Sequence, residues 1–287
     1  MKMQKVSALV IVMLTFIAGC NIIDDPVINY GSYRQDLYGP APVFSPLSEP
    51  HRKVLLEDFT GHDCGNCPNG HAVATTLLDQ YGEDLAVVAI HAGSLAAPFP
   101  PDYPADWTTE EGEYYLLTQV GSDVMPKGRI NRNPGASTIF SPSGWTNKVT
   151  EAFATDPEVN LQLDVTYVPD NQHLNVHVNS EWLQDLSGEY RLVILITESG
   201  IVAPQLWYGN DPEYVEEYDH EHMLRASVSG STGLAVASNP QSGQINTTSY
   251  TYNWNSTWVP ENCEVVAFIT EGENGRILNV EKAYVIE

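Results

Sequence analysis

An apolar run that ends in a CxxC turn and passes straight into a helical pattern leaves few folds open to this chain. The run is Val54, Leu55 and Leu56, then Phe59. The turn carries Cys64-Gly65-Asn66-Cys67, and Val73, Leu77 and Tyr81 follow on one helical stripe with Ala74 and Leu78 beside it. Strand, CxxC and helix in that order put two thiols at a helix start, where unpaired N–H groups and the positive end of the dipole favour a thiolate. Cys64 is then the candidate nucleophile and Cys67 the resolving thiol, and the two residues between them allow a Cys64–Cys67 disulfide. Two other uses of the pair stay open at this point. The bridge serves only to pin the strand-to-helix turn, or the thiols hold a metal, for which a second ligand pair is missing. Glu57, Asp58 and Asp63 would raise a nearby thiol pKa, and His62 would offset them when protonated.

The pattern reads as a thioredoxin-like α/β domain over residues 51–155. Leu85 to His91 is a continuous apolar run, expected as a buried strand parallel to the first. A loop with four prolines, Ala92 to Trp107, is too long for a plain connector and is expected to be a lid or a docking surface. Thr108 or Thr109 caps a helix with Tyr114, Leu117 and Val120 as its apolar stripe. Pro126 stands where thioredoxin-like folds place a cis-proline facing the CxxC, which makes it a third candidate catalytic residue. Lys127, Arg129 and Arg132 follow at once. They are either a basic patch that tunes the thiolate or solvated loop charges. Trp145 to Ala154 closes the domain as a helix.

The N-terminus constrains location. Lys2 and Lys5 precede an apolar run, Val6 to Ala18, that ends Ile17-Ala18-Gly19-Cys20. It is shorter than the roughly 20 residues a membrane span needs and reads as an export signal over residues 1–19. Its end resembles a bacterial lipobox, so Cys20 is the expected lipidation site, with palmitate-type acyl chains as the membrane anchor. Residues 20–50 carry five prolines and read as a flexible tether.

The texture changes after residue 155. Leu161, Leu163, Val165 and Tyr167 alternate with polar residues, as do Leu174, Val176 and Val178 across a Pro-Asp-Asn-Gln turn. Arg191 to Thr197, Val265 to Thr270 and Ile277 to Val285 add strands, so residues 156–287 are expected as an all-β sandwich of immunoglobulin-like kind. Cys263 has no obvious partner and is expected as a buried free thiol. Residues 204–234 form an insertion rich in acids and aromatics. In it, His220 and His222 are weak candidates for a metal; a structural or partner-facing loop is the plainer expectation.

With 13 basic residues against 37 acidic ones, the net charge of −24 argues against nucleic acid or an anionic bilayer face as partner. The chain contains no phosphate-binding loop, dinucleotide fingerprint, serine elbow or HExxH, and no cofactor is implied. The oligomeric state is not legible.

VLLEDFTGHDCGNCPNG, AIHAG (89–93), MPKGRINR (125–132), YDHEHMLR (218–225) and EVVAFITE (264–271) together resemble the outer-membrane-protein-28-related lipoproteins of Gram-negative gut and oral bacteria. The resemblance implies a lipobox, a thioredoxin-like domain, a C-terminal β domain and an outer-membrane location, periplasmic or at the cell surface. Asp63 departs from it, standing where an aromatic residue often precedes the first cysteine. Two functions follow as expectations. One is thiol–disulfide exchange on envelope proteins. The other is a non-enzymatic lipoprotein that binds a host or envelope ligand and keeps Cys64–Cys67 as a structural bridge.

Overall fold

A computed structural model describes residues 32–122, 124–135 and 138–286. The expected signal segment, Cys20 and the first part of the tether lie outside the described residues.

The chain is a mixed α/β sheet followed by antiparallel sheets. A short helix α1 (Gln35–Tyr38) precedes β1 (Val54–Thr60), α2 (Cys67–Tyr81), β2 (Leu85–His91), α3 (Glu110–Tyr115), β3 (Lys127–Ile130) and α4 (Pro142–Phe153). Ten strands follow: β4 (Val159–Val168), β5 (His173–Trp182), β6 (Glu189–Glu198), β7 (Ile201–Leu206), β8 (Tyr214–His220), β9 (Met223–Ser227), β10 (Leu234–Ser238), β11 (Ile245–Asn253), β12 (Cys263–Glu271) and β13 (Ile277–Tyr284).

β1 and β2 are parallel, Val54 opposite Leu85 through Thr60 opposite His91, and both are buried along their whole length. This is why Leu85 to His91 reads as an unbroken apolar run, whereas in β1 Glu57 and Asp58 interrupt the apolar residues and are buried with them. β3 joins β1 antiparallel. The sheet does not stop at β2. Ala89 pairs with Met223, and its N–H donates to the His222 carbonyl, so the order runs β13-β12-β6-β9-β2-β1-β3. β4, β5 and β11 make a separate antiparallel sheet, and β7 and β8 a two-stranded one.

Three apolar layers hold this together. On the outer face of β1–β2–β3, Val54, Leu56, Leu85, Val87 and Ile130 pack under α2 and α4 through Ala74, Leu77, Trp145 and Val149. The buried residues of α2 are Cys67, Pro68, Gly70, Ala74 and Leu77. The expected stripe of Val73, Leu77 and Tyr81, with Ala74 and Leu78 beside it, is the face that packs on this layer, and Gly70 lies against Pro126 and Trp145. Inside the sheet's curl, Leu55, Phe59, Val88 and Ile90 meet Val193, Leu195, Val266 and Phe268. Strands from opposite ends of the order touch there, and the Ile277 N–H donates to the Asn131 carbonyl across the gap. The third layer, Leu161, Val176, Val178 and Trp182 against Ile194, Ile196, Val265 and Ala267, joins the three-stranded sheet to the other face of β6 and β12. Each fully buried aliphatic side chain contributes about 1.5–3 kcal/mol.

The curl holds a charged group. Glu57 on β1 accepts from Arg129 Nη2 at 2.6 Å and from Arg132 Nη2 at 2.8 Å and Nε at 3.1 Å, all three side chains being sealed from water. Burial alone would raise the Glu57 pKa, but the two guanidiniums outweigh it and hold it below the ordinary value. Arg129 lies over Phe59 and Arg132 over Tyr115 and Phe268. This sets the face of α3. Tyr115 at the end of α3 and Leu116 in the π-helical turn that continues it (Leu116–Val120) turn inward and Gln119 accepts from Arg129, whereas Leu117, expected on the apolar stripe with Tyr114 and Val120, is 71 % exposed. The Thr109 hydroxyl caps α3, accepting from the Gly112 N–H at 3.0 Å.

Candidate functional site: a covered CxxC disulfide

β1 delivers the chain to the CxxC turn, and α2 starts at the second cysteine. Cys64 and Cys67 are bridged, with Cα atoms 5.4 Å apart. Cys67 occupies the first helical position and Pro68 the next, where a missing N–H costs nothing. Both sulfur-bearing residues are buried: Cys64 is 3 % exposed and Cys67 is sealed.

The cover comes from two segments. The Asp63 N–H donates to the Leu95 carbonyl, and Gly61 packs so tightly on the Leu95–Ala96 backbone that a Cβ there would lie 2.4 Å from the Leu95 oxygen. The proline-rich loop therefore lies on one side of the turn. On the other lies the β7–β8 hairpin. Leu206 N–H donates to the His62 carbonyl at 2.8 Å, and Tyr208 N–H to the Gly65 carbonyl at 2.7 Å. The Gln205 amide nitrogen donates to the Cys64 carbonyl at 3.1 Å and lies 3.3 Å from that of Gly61. The Tyr208 ring rests on Gly65, and a Cβ at position 65 would lie 2.6 Å from it.

The other predicted site residues sit as follows. The Met125–Pro126 peptide is cis, and Pro126 packs on Gly70, one helical turn past Cys67. His62 stacks on Tyr103 with ring centroids 4.7 Å apart and Nε2 3.0 Å from the Ala97 carbonyl; burial lowers its pKa. Arg129 and Arg132 are taken up by Glu57 inside the curl, and Lys127 is partly exposed on β3. The structure thus brings Cys64, Cys67, Pro126, His62 and Asp63 to one end of α2 and turns Arg129 inward. His220 packs against His91 and Tyr218, whereas His222 faces Glu264 at 3.8 Å. Among the described residues, no three His, Cys, Asp or Glu side chains are grouped to hold a metal ion. Cys263 is buried and free, its thiol donating to the Val259 carbonyl at 3.2 Å.

A polar cluster that the sequence reading did not assemble lies beneath the hairpin. Asp58, six residues before Cys64, is buried with one carboxylate oxygen unpartnered, and burial pushes its pKa up to about 8. Its other oxygen is 3.9 Å from His71 Nε2. His71 also meets the hydroxyls of Thr60 at 2.9 Å and Tyr218 at 2.7 Å, and burial, then His220, lowers its pKa to about 3. At neutral pH both groups are largely uncharged, so the close approach is not an ion pair. The signal available beforehand was a pair of acids, Glu57 and Asp58, inside a strand run of apolar residues.

The profile described as outer membrane protein Omp28 matches residues 114–287, which begins in α3, after the CxxC. No curated protein matches the sequence. Among solved structures, HBP35 of Porphyromonas gingivalis aligns over 83 % of this chain and 76 % of its own, with a TM-score of 0.64 and 17 % identity. A structural-genomics protein of Agrobacterium tumefaciens aligns over 84 % and 97 %, with a TM-score of 0.51 and 12 % identity. A domain of the outer membrane lipoprotein Omp28 of Porphyromonas gingivalis covers 45 % of this chain and 89 % of its own at 18 % identity, with a TM-score of 0.31. At these identities the likeness concerns the fold, and family membership rests on the profile, which spans more than half of the sequence: this chain belongs to the Omp28 outer membrane protein family.

Proposed function

We propose that this protein is a lipid-anchored thiol–disulfide exchanger of the outer membrane, tethered through Cys20 and facing the periplasm or the cell surface. Its residues 51–155 act as a thioredoxin-like unit, and the antiparallel sheets act as its support and cover. The observation that carries the reading is the Cys64–Cys67 bridge at the first turn of α2 with Pro126 packed on that same turn. In the oxidised form a partner thiolate attacks the Cys64 sulfur, a mixed disulfide forms and Cys67 leaves as thiolate, stabilised by the helix start. A second partner thiolate then attacks the partner's own sulfur in the mixed bond and releases Cys64. Two electrons pass from the partner's dithiol to the pair. The partner gains a disulfide, and the protons of its thiols pass to solvent or to the released cysteines.

A second reading is favoured by one observation, the burial of both cysteines. Under it the bridge pins the turn and the protein binds a ligand elsewhere. The reduction potential of the pair, measured by glutathione equilibration with thiol trapping, separates the two. A potential between about −270 and −120 mV supports exchange, and one below about −300 mV, typical of structural bridges, refutes it.

A further inference from the structure

The cover over the CxxC has the form of a bound peptide. Leu206 and Tyr208 are two residues apart and each donates its backbone N–H to a carbonyl of the turn, His62 and Gly65. An extended strand offers its N–H groups on one edge at that two-residue spacing, whatever its side chains. Recognition of this kind takes affinity from the main chain and selectivity from side-chain contacts. Here the side-chain contacts are the Tyr208 ring on Gly65 and the Gln205 amide on Cys64. Neither is optimal. Tyr208 remains 53 % exposed, and the Gln205 side-chain oxygen is buried without a donor.

The hairpin is also separable. Among the described residues β7 and β8 pair only with each other, so lifting them breaks no rung of either larger sheet. A lone two-stranded hairpin is marginally stable by itself. Beyond the turn it is tied down by the Tyr214 hydroxyl on the Asp102 carbonyl, the Tyr218 hydroxyl on His71 and the His220 ring against His91.

We infer that the Cys64–Cys67 turn is a docking edge for an extended polypeptide, and that residues 205–208 of the chain's own hairpin occupy this edge in the resting state as an internal competitor. The inference rests on the exchange reading for its purpose but not for its geometry. It names the partner class, an unfolded or extended segment with an aromatic residue at the Tyr208 position. It also explains why a reactive bridge is covered.

The test compares the wild-type protein with Tyr208→Ala and, separately, Gln205→Ala. The first removes a largely exposed ring and leaves the core intact, so it decides the matter if the second fails to fold. Two readouts are taken: the rate at which dithiothreitol reduces Cys64–Cys67, and binding of a labelled synthetic peptide copying residues 203–210. The expected result is reduction at least tenfold faster in Tyr208→Ala, with peptide binding to the variant and not to the wild type. Reduction within twofold of wild type overturns the cover. Faster reduction without peptide binding overturns the polypeptide edge. Faster reduction with peptide binding, in a protein whose pair has a potential in the structural range, upholds the edge and refutes the exchange reading alone.

Discussion

Glu57→Gln is expected to destabilise the protein more than any surface substitution. Glu57 accepts three hydrogen bonds shorter than 3.2 Å from two buried guanidiniums and is itself sealed from water. The amide fills the same space but removes the carboxylate that Arg129 and Arg132 share, and it turns an N–H donor toward an arginine donor. Breaking a buried pair costs about 3–5 kcal/mol because the surviving charge is left uncompensated. One carboxylate here serves two cations, which puts the expected loss near 4–5 kcal/mol. Total stabilities are about 5–15 kcal/mol, so the loss is a large share. With a urea slope of about 3 kcal/mol/M, a 4 kcal/mol loss lowers the unfolding midpoint by roughly 1.3 M. Urea titration by tryptophan fluorescence reads this directly. The companion variant replaces Glu57, Arg129 and Arg132 together with Met. Apolar replacement of a whole buried charge group is often neutral or stabilising, so the triple variant should be more stable than Glu57→Gln. A Glu57→Gln loss below about 1 kcal/mol would falsify the premise that the carboxylate neutralises both arginines.

Three further outcomes are expected. Stability should peak near pH 6–7: His71 and His220, held neutral by burial at about 3 and about 4, withdraw stability as pH falls below 6.5, where only the unfolded chain takes up their protons. Asp58, raised from 3.8 to about 8, keeps its proton in the folded state and withdraws stability as pH rises through that interval, so Asp58→Asn should flatten the limb above pH 6.5 in melting curves. Cys263, whose thiol burial pushes up to about 12, should resist iodoacetamide in the native protein and react only after unfolding, as read by peptide mass spectrometry; fast native labelling would contradict its burial. Gly128→Ala should lower stability by about 1–3 kcal/mol through overpacking, since a Cβ there would lie 2.6 Å from the Trp145 ring, and an unchanged melting temperature would show that the ring can move aside.

Much of the α/β half was legible because local signals and the final packing agree. Val54, Leu55 and Leu56 with Phe59, and the continuous run from Leu85 to His91, read as strands, and both became strands buried on two faces. The two-residue spacing of Cys64 and Cys67 allowed a bridge, which the structure contains. The alternation from Leu161 to Val178 gave the β4–β5 hairpin, whose apolar residues pack on one face, while along β5 the polar residues Asn175, His177 and Asn179 of the other face are buried too. Where partners are distant in sequence, the local pattern was silent or misleading. Of the stripe at Tyr114, Leu117 and Val120, Tyr114 and Val120 pack against the core, but Leu117 is exposed, and the arginines inside the curl drew in Tyr115 and Gln119 as well.

By itself, then, the sequence determined what nearest-neighbour chemistry can determine: the strand–CxxC–helix unit, the β-rich second half and the acidic surface. Only the tertiary structure decided what each charge and each sulfur faces. It turned Arg129 from the candidate thiol site to Glu57, joined the two halves through Ala89 and Met223, and laid Gln205, Leu206 and Tyr208 over Cys64. These contacts link residues 72 to 144 positions apart, and no residue in them has a local preference that favours one distant partner over another. Their physical cause is the closing of the sheet, which must cover the apolar faces and pair most buried polar groups at once.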